Sequence, residues 1–213
     1  MNGGVDIDPE LVASWLRARS VSRGLPQPIT DRGGLRIDTD LPDEKRRYVF
    51  ARPCEGLREL GLEISEPLIL LKLCGTEQEL RVMLPAKWEI ITTSRMMVCN
   101  RAAIYAPAMP DDLTLEVYRN GDVSIAQIVD ATGVVAAQGR AAEYAGVFCY
   151  DQIATSILYR RRGLGSLVMA SLLSTRRSNS SQQILTATTD GYELYRSLGW
   201  RVYSPWMTAH LPN

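Results

Sequence analysis

The stretch YRRRGLGS, Tyr159 to Ser166, sets three arginines against two glycines placed two residues apart. Its neighbours decide what it is. Upstream, VFCYDQIAT (147–155) is a strand-like run, and downstream Leu164, Leu167, Val168 and Leu172 recur at helical spacing. A strand that passes through glycines into a helix offers an anion the helix's unpaired first amides and the positive end of its dipole. Glycine removes the Cβ that would block the approach, and arginine adds directional donors. By spacing alone, other readings stand beside a phosphate cradle: a solvated charge run, glycines that only permit close helix packing, and a nucleic-acid patch. It is not a Walker A loop, which needs Gly-Lys-Ser/Thr, nor a dinucleotide fingerprint, whose GxGxxG spacing is absent.

Working outward, residues 113–155 hold four strand-like runs: LTLEVY, VSIAQIV, VVAAQGRAAEY and VFCYDQIAT. Asn120-Gly121, DATG (130–133) and Ala145-Gly146 are the turns between them. Links this short require an antiparallel meander. After the glycine loop come a helix over 163–177, a polar loop RSNSSQ and a strand QILTAT (183–188). A second helix follows, with Asp190 and Glu193 at capping-box spacing, Leu194, Tyr195 and Leu198 on one face, and Gly199 at its C-cap. WRVYS and MTAHL read as two strands around Ser204-Pro205. Before residue 113 the pattern is thinner. Residues 9–20 form an amphipathic helix capped by Asp8, and RGLPQPITDRGG is a connector. LRIDT and RRYVFA are strands, EGLRELG is a short helix and PLILLKL is a buried strand interrupted by Lys72. Residues 76–112 stay unplaced, and no sequence repeat is visible.

Composition bounds the function. The chain has 213 residues with 24 Lys+Arg and 24 Asp+Glu, so no global field draws it to nucleic acid or an anionic membrane. Cys54, Cys74, Cys99 and Cys149 are scattered without a CxxC pair, which reads as thiols in a reducing compartment and no zinc site. The start MNGGVDIDPE lacks a secretory pattern, and no apolar run nears the roughly 20 residues of a spanning helix. The expectation is a cytoplasmic protein with no membrane and no metal.

Arg160-x-x-Gly163-x-Gly165 resembles the Gln/Arg-x-x-Gly-x-Gly/Ala signature of the GNAT superfamily of acyl-CoA-dependent N-acyltransferases. TDGYELYRSLGW (189–200) resembles that family's second signature, and the two lie in the family's order after a meander. The resemblance implies an α+β fold: a central, mostly antiparallel twisted sheet, splayed at a cofactor wedge and flanked by helices. It covers residues 66–213, clearest from 113, and leaves residues 1–65 as an N-terminal extension or small subdomain. That extension is open to three readings: a lid over the acceptor, a homodimer contact, or a decayed half of a second copy.

What the resemblance implies for the site is specific. The pyrophosphate of acetyl-CoA would rest on Arg160, Arg161, Arg162, Gly163, Leu164, Gly165 and Ser166. Ile153, Ala154 and Thr155 would pair with the pantetheine arm. Thr188 stands where many members carry a pantetheine-contacting asparagine. Tyr195 aligns with the family's general acid toward sulfur, although its place on an amphipathic helix suits a core aromatic equally. Ala154 fills the slot where many members hold a glutamate base. Asp151 is then the nearest acidic candidate, with Glu143 further off; either could be a structural strand residue. His210 reads as an exposed or satisfied polar residue, and Trp200, Tyr203 and Trp206 as acceptor-pocket lining, core or interface. The reaction implied is direct transfer of an acetyl group to a primary amine, of a small molecule or else of a peptide or protein. A non-catalytic acyl-CoA-binding protein of the same fold is the alternative.

Overall fold

The computed structural model describes residues 7–212; the leader reading of the N-terminus falls mainly on residues 1–6, outside the described residues. Helix α1 (Pro9–Arg23) begins as its sequence dictates, with Asp8 accepting from the Glu10 amide at 2.9 Å. It ends at Gly24, whose left-handed φ of 65° lets the chain turn away. The connector holds a short strand, β1 (Ile29–Asp31), before β2 (Gly34–Leu41), β3 (Glu44–Phe50), α2 (Glu55–Glu63) and β4 (Ile69–Cys74). The stretch that the sequence left unplaced becomes α3 (Glu77–Met83), with a Thr76/Glu79 capping box, and the long strand β5 (Glu89–Cys99). The expected meander is β6 (Leu113–Asn120), β7 (Val123–Asp130), β8 (Val135–Tyr144) and β9 (Val147–Thr155). Then come α4 (Leu164–Leu173), β10 (Gln182–Ala187), α5 (Thr189–Ser197) and β11 (Arg201–His210).

Three local readings change. The helix expected over 163–177 ends at Leu173. WRVYS and MTAHL are one strand, β11, with a register shift between Val202 and Ser204. Pro205 is tolerated inside it because its carbonyl still accepts from the Gly75 amide, so only the missing donor is lost. The cap of α5 is Thr188, whose hydroxyl accepts from the Gly191 amide, rather than Asp190.

The eleven strands among the described residues form one sheet in the order β1-β2-β3-β4-β11-β5-β10-β9-β8-β7-β6. The order shows a repeat that the sequence does not. Each half runs from an antiparallel hairpin through a helix to a parallel strand, then through a second helix to a closing strand. In the first half these are β3, α2, β4, α3 and β5; in the second, β9, α4, β10, α5 and β11. The closing strands are exchanged: β11 lies between β4 and β5, and β5 lies between β11 and β10.

Burial follows strand parity. Helices α4 and α5 pack on Met97, Phe148, Tyr150 and Leu185, and α2 and α3 on Phe50, Leu71, Leu73 and Met207. The alternate residues of the same strands, among them Val49, Cys74, Met96, Cys149 and Trp206, face α1, the lone helix on the other side. Trp15 of α1 meets Trp206 edge-on at 4.9 Å. Trp206→Ala removes this contact from both halves at once, and we expect a loss of about 3–5 kcal/mol, read as a lower urea midpoint with an unchanged transition slope.

Candidate functional site

The two parallel pairs in the sheet behave differently. Strands β3 and β4 stay in register from Arg46↔Ile69 to Phe50↔Leu73. Strands β9 and β10 pair only at Val147↔Gln182, Phe148↔Gln183 and Cys149↔Ile184, then part. Each follows its other neighbour. β10 stays on β5 as far as Ala187↔Arg95, whereas β9 stays on β8 through a bulge at Gln152. There φ is +54° and the register jumps between Gln138↔Ala154 and Arg140↔Asp151. The facing edges beyond Cys149 and Ile184 therefore carry peptide groups that do not pair with each other, and these are the groups an amide-bearing ligand would use.

Above the gap, β9 leads through a 3-10 turn (Ile157–Tyr159) into the glycine loop. Arg161 and Gly163 take left-handed φ values of 65° and 74°, and α4 starts at Leu164 without a side-chain cap or an acidic residue in its first turn. The first helical bonds run from the Ser166 and Leu167 amides to the Gly163 carbonyl, leaving the amides before them outside the ladder. Packing also demands the glycines. A Cβ on Gly163 would come 2.5 Å from Pro107, and one on Gly165 would come 2.8 Å from Leu194 of α5. Arg160 and Arg161 are exposed, whereas Arg162 pairs with Asp112 and lies 6.0 Å from the Tyr159 ring centroid. The Tyr159 hydroxyl donates to Asp130, and Thr132 and Val134 donate to the same residue. With these bonds Asp130 is held well below the usual carboxylate range, and the β7–β8 turn is tied to the loop. The corresponding start of α2 has Pro53, an uncapped Cys54 and Glu55, a poor anion site beneath a pair of strands that never separates.

Of the expected pantetheine strand, Ile153 is half-buried, Ala154 exposed and Thr155 intermediate, all past the bulge. Thr188 spends its hydroxyl on capping α5. Tyr195 is 7% exposed among the α4 and α5 residues, 6.2 Å from the Trp200 ring. Burial, with a further contribution from the charge of Asp151, pushes its phenol up to about 12, so it stays protonated at neutral pH. Asp151 is buried and engaged: Arg23 of α1 contacts it at 2.5 and 2.8 Å, and Arg19 lies at 3.6 Å. The arginines outweigh the burial and keep its pKa low, which makes it a weak base and an anchor for α1. Glu143 accepts from the Arg177 and Ser178 amides and the Ser181 hydroxyl, and so holds the loop between α4 and β10. Trp200 packs on Tyr150 and Trp206 on Trp15. Tyr203 accepts from the Asp8 amide, and His210 pairs with Glu89 at 3.7 Å. Arg19, Arg23 and the Gln152 bulge went unread in the sequence, because nothing local marks a helix arginine as facing a strand 128 residues away. No His/Cys/Asp/Glu group suited to a metal occurs among the described residues, and none of their helices is long and apolar enough to cross a membrane.

Neither a family model nor a curated protein matches the sequence. Solved structures do match the fold. A GCN5-related N-acetyltransferase from Kribbella flavida superposes with a TM-score of 0.65, at 15% identity, over 96% of both chains. The chain has the GNAT fold. A second GCN5-related N-acetyltransferase, from Sphaerobacter thermophilus, gives a TM-score of 0.58 at 13% identity, over 85% of this chain and 78% of that one. A tandem GNAT protein from the clavulanic acid biosynthesis pathway gives 0.53 at 12% identity, over 73% of this chain and 68% of that one. In this GNAT-fold chain the two signature stretches fall where the gap between β9 and β10 opens.

Asp151→Asn leaves two arginines without their carboxylate, and we expect it to cost about 3 kcal/mol at pH 7. The lowered native pKa makes this contribution present above the unfolded aspartate value of about 3.9 and lost as pH falls below it. Urea melts of wild type and variant should therefore differ at pH 7 and converge in acid.

Proposed function

We propose that this chain is an acyl-CoA-dependent N-acyltransferase that moves an acetyl group from acetyl-CoA to a primary amine of a small molecule. The observation that carries this reading is the parting of β9 from β10 beneath the uncapped start of α4, set against the closed β3–β4 pair. The residues present fit the cofactor. The amides from Arg161 to Gly165, the glycines and the absence of an acidic first turn suit a diphosphate, with Arg160 and Arg161 free to add charge. The unpaired edge around Ile153–Thr155 suits the two amides of a pantetheine arm. Acetyl-CoA supplies an acetyl group already activated as a thioester.

The chain's own residues then have limited tasks. Tyr195 keeps its proton and serves as a hydrogen-bond donor to the departing sulfur. A phenol near 12 does not readily give its proton up to a thiolate whose conjugate thiol is near 8.5, so donation of a hydrogen bond is the main contribution. Asp151, tied to Arg19 and Arg23, positions α1 over the bulge instead of acting as the base. Much of the rate comes from holding the amine against the thioester. Nucleic acid falls outside this reading, since the chain is neutral overall and Arg162 is held by Asp112. The second reading, acyl-CoA binding without turnover, draws on the engagement of Asp151, which leaves no free carboxylate at the bulge.

A panel of primary amines with acetyl-CoA should release free CoA thiol, and calorimetry should show acetyl-CoA binding. Binding without thiol release across the panel would select the second reading, and absence of both would reject the two together. Tyr195→Phe should lower kcat by about 100-fold while the calorimetric affinity for acetyl-CoA stays close to that of wild type.

A further inference from the structure

The face of the sheet beneath α1 buries more positive charge than it neutralises. Lys72 of β4, Arg47 of β3 and Arg19 and Arg23 of α1 act on one another there, and the acidic groups among them are Asp151 and Glu44. Asp151 is committed to Arg23 and Arg19, and Glu44 to Arg47. Lys72 is left with one neutral partner, the Thr208 hydroxyl at 3.3 Å, and the Arg19 Nε makes no hydrogen bond. Burial disfavours its ammonium, and the three arginines add to this against the attraction of Glu44, so Lys72 comes down to about 7. The cluster is not sealed: Arg19 and Arg23 keep 14% and 24% of their side chains exposed.

Its position matters. Arg19 touches Asp151, the residue next to the Gln152 bulge where β9 leaves β10, and it also acts on Lys72 two strands beyond β5. The spare positive charge thus begins beside the mouth of the gap and extends across the α1 face. We infer that the acceptor amine carries an anionic group, a carboxylate or a phosphate, and that Lys72 and Arg19 hold it. This rests on the acyltransferase reading and narrows its substrate class. An anion there supplies a further negative charge to Lys72 and a closer acceptor to the Arg19 Nε, which lies 3.6 Å from Asp151 beside the bulge.

The test compares 4-aminobutanoate, 3-aminopropyl phosphate and n-pentylamine as acceptors, using wild type and Lys72→Met. Among the described residues Lys72 makes one hydrogen bond, to Thr208, and no ion pair, so Lys72→Met should not impair folding, and a thermal melt of the variant checks this. Wild type should favour at least one anionic acceptor over n-pentylamine by about tenfold or more in kcat/KM, and the ratio should fall toward one in Lys72→Met. A readout independent of turnover is the thermal shift given by succinate or by inorganic phosphate. Either should raise the melting temperature of wild type more than that of Lys72→Met, and which one does so separates a carboxylate from a phosphate site. Equal use of charged and uncharged acceptors, or anion-induced shifts that survive Lys72→Met, would overturn the inference while acetyl-CoA binding and thiol release still stood. Loss of acetyl-CoA binding with the anion shift intact would instead reject the transferase reading and keep the anion site.

Discussion

The ladder between β5 and β11 is the interaction on which the rest of the molecule depends. It runs from Arg201↔Val98 to His210↔Glu89 and joins the closing strand of each half to the other half's sheet. Without it, β11, still paired to β4, and β5, still paired to β10, would each present an open edge, and two sheets would replace one. The exchange also explains why the N-terminal residues belong with the rest: β3 and β4 reach the C-terminal strands only through β11. Because strand parity carries through the ladder, one face collects helices α2 to α5 while the other is left to α1 and the polar cluster beneath it.

The two halves share a succession of elements but differ where chemistry would occur. In the second half a bulge draws β9 toward β8 while β10 is held by β5, and the parallel pair opens. In the first half nothing pulls β3 from β4, and the helix above begins with an acid. A gap of this kind is costly in unpaired backbone unless a ligand or water fills it. Its presence in one half and absence from the other is the structural asymmetry from which function is read. The ion pairs of Asp151 stabilise the arrangement on the α1 side, and Tyr195 is set on the opposite side by α5.

Much of this was legible in the chain. The hairpin turns at Asn120-Gly121 and Ala145-Gly146 specify neighbours a few residues apart, so the meander could be read directly. The glycine loop and the Tyr195 helix carry their own glycines and apolar spacings. The closing strand was harder: Pro205 reads as a break, yet β11 continues because tertiary pairing uses the proline's carbonyl and forgoes only its donor. The Asp190–Glu193 spacing reads as a capping box, but Thr188 lies two positions closer to the strand end and takes the role. Lys72 shows only as an interruption in an apolar run. Parity places it with Cys74, away from Leu71 and Leu73, and only the opposite face of a sheet covered by α1 makes it a half-buried lysine whose pKa is lowered.

The sequence by itself determined the local pieces: the meander, the glycine turn that starts α4, the helix bearing Tyr195, and the GNAT-like order in which they occur. These depend on contacts within a few residues, where propensity, capping and turn chemistry act. Tertiary structure alone decided that the closing strands trade places, that β9 and β10 part at Cys149 and Ile184, and that Asp151 is bound by arginines from the first helix. Those outcomes depend on residues from tens to more than a hundred positions apart, whose pairing no local pattern encodes.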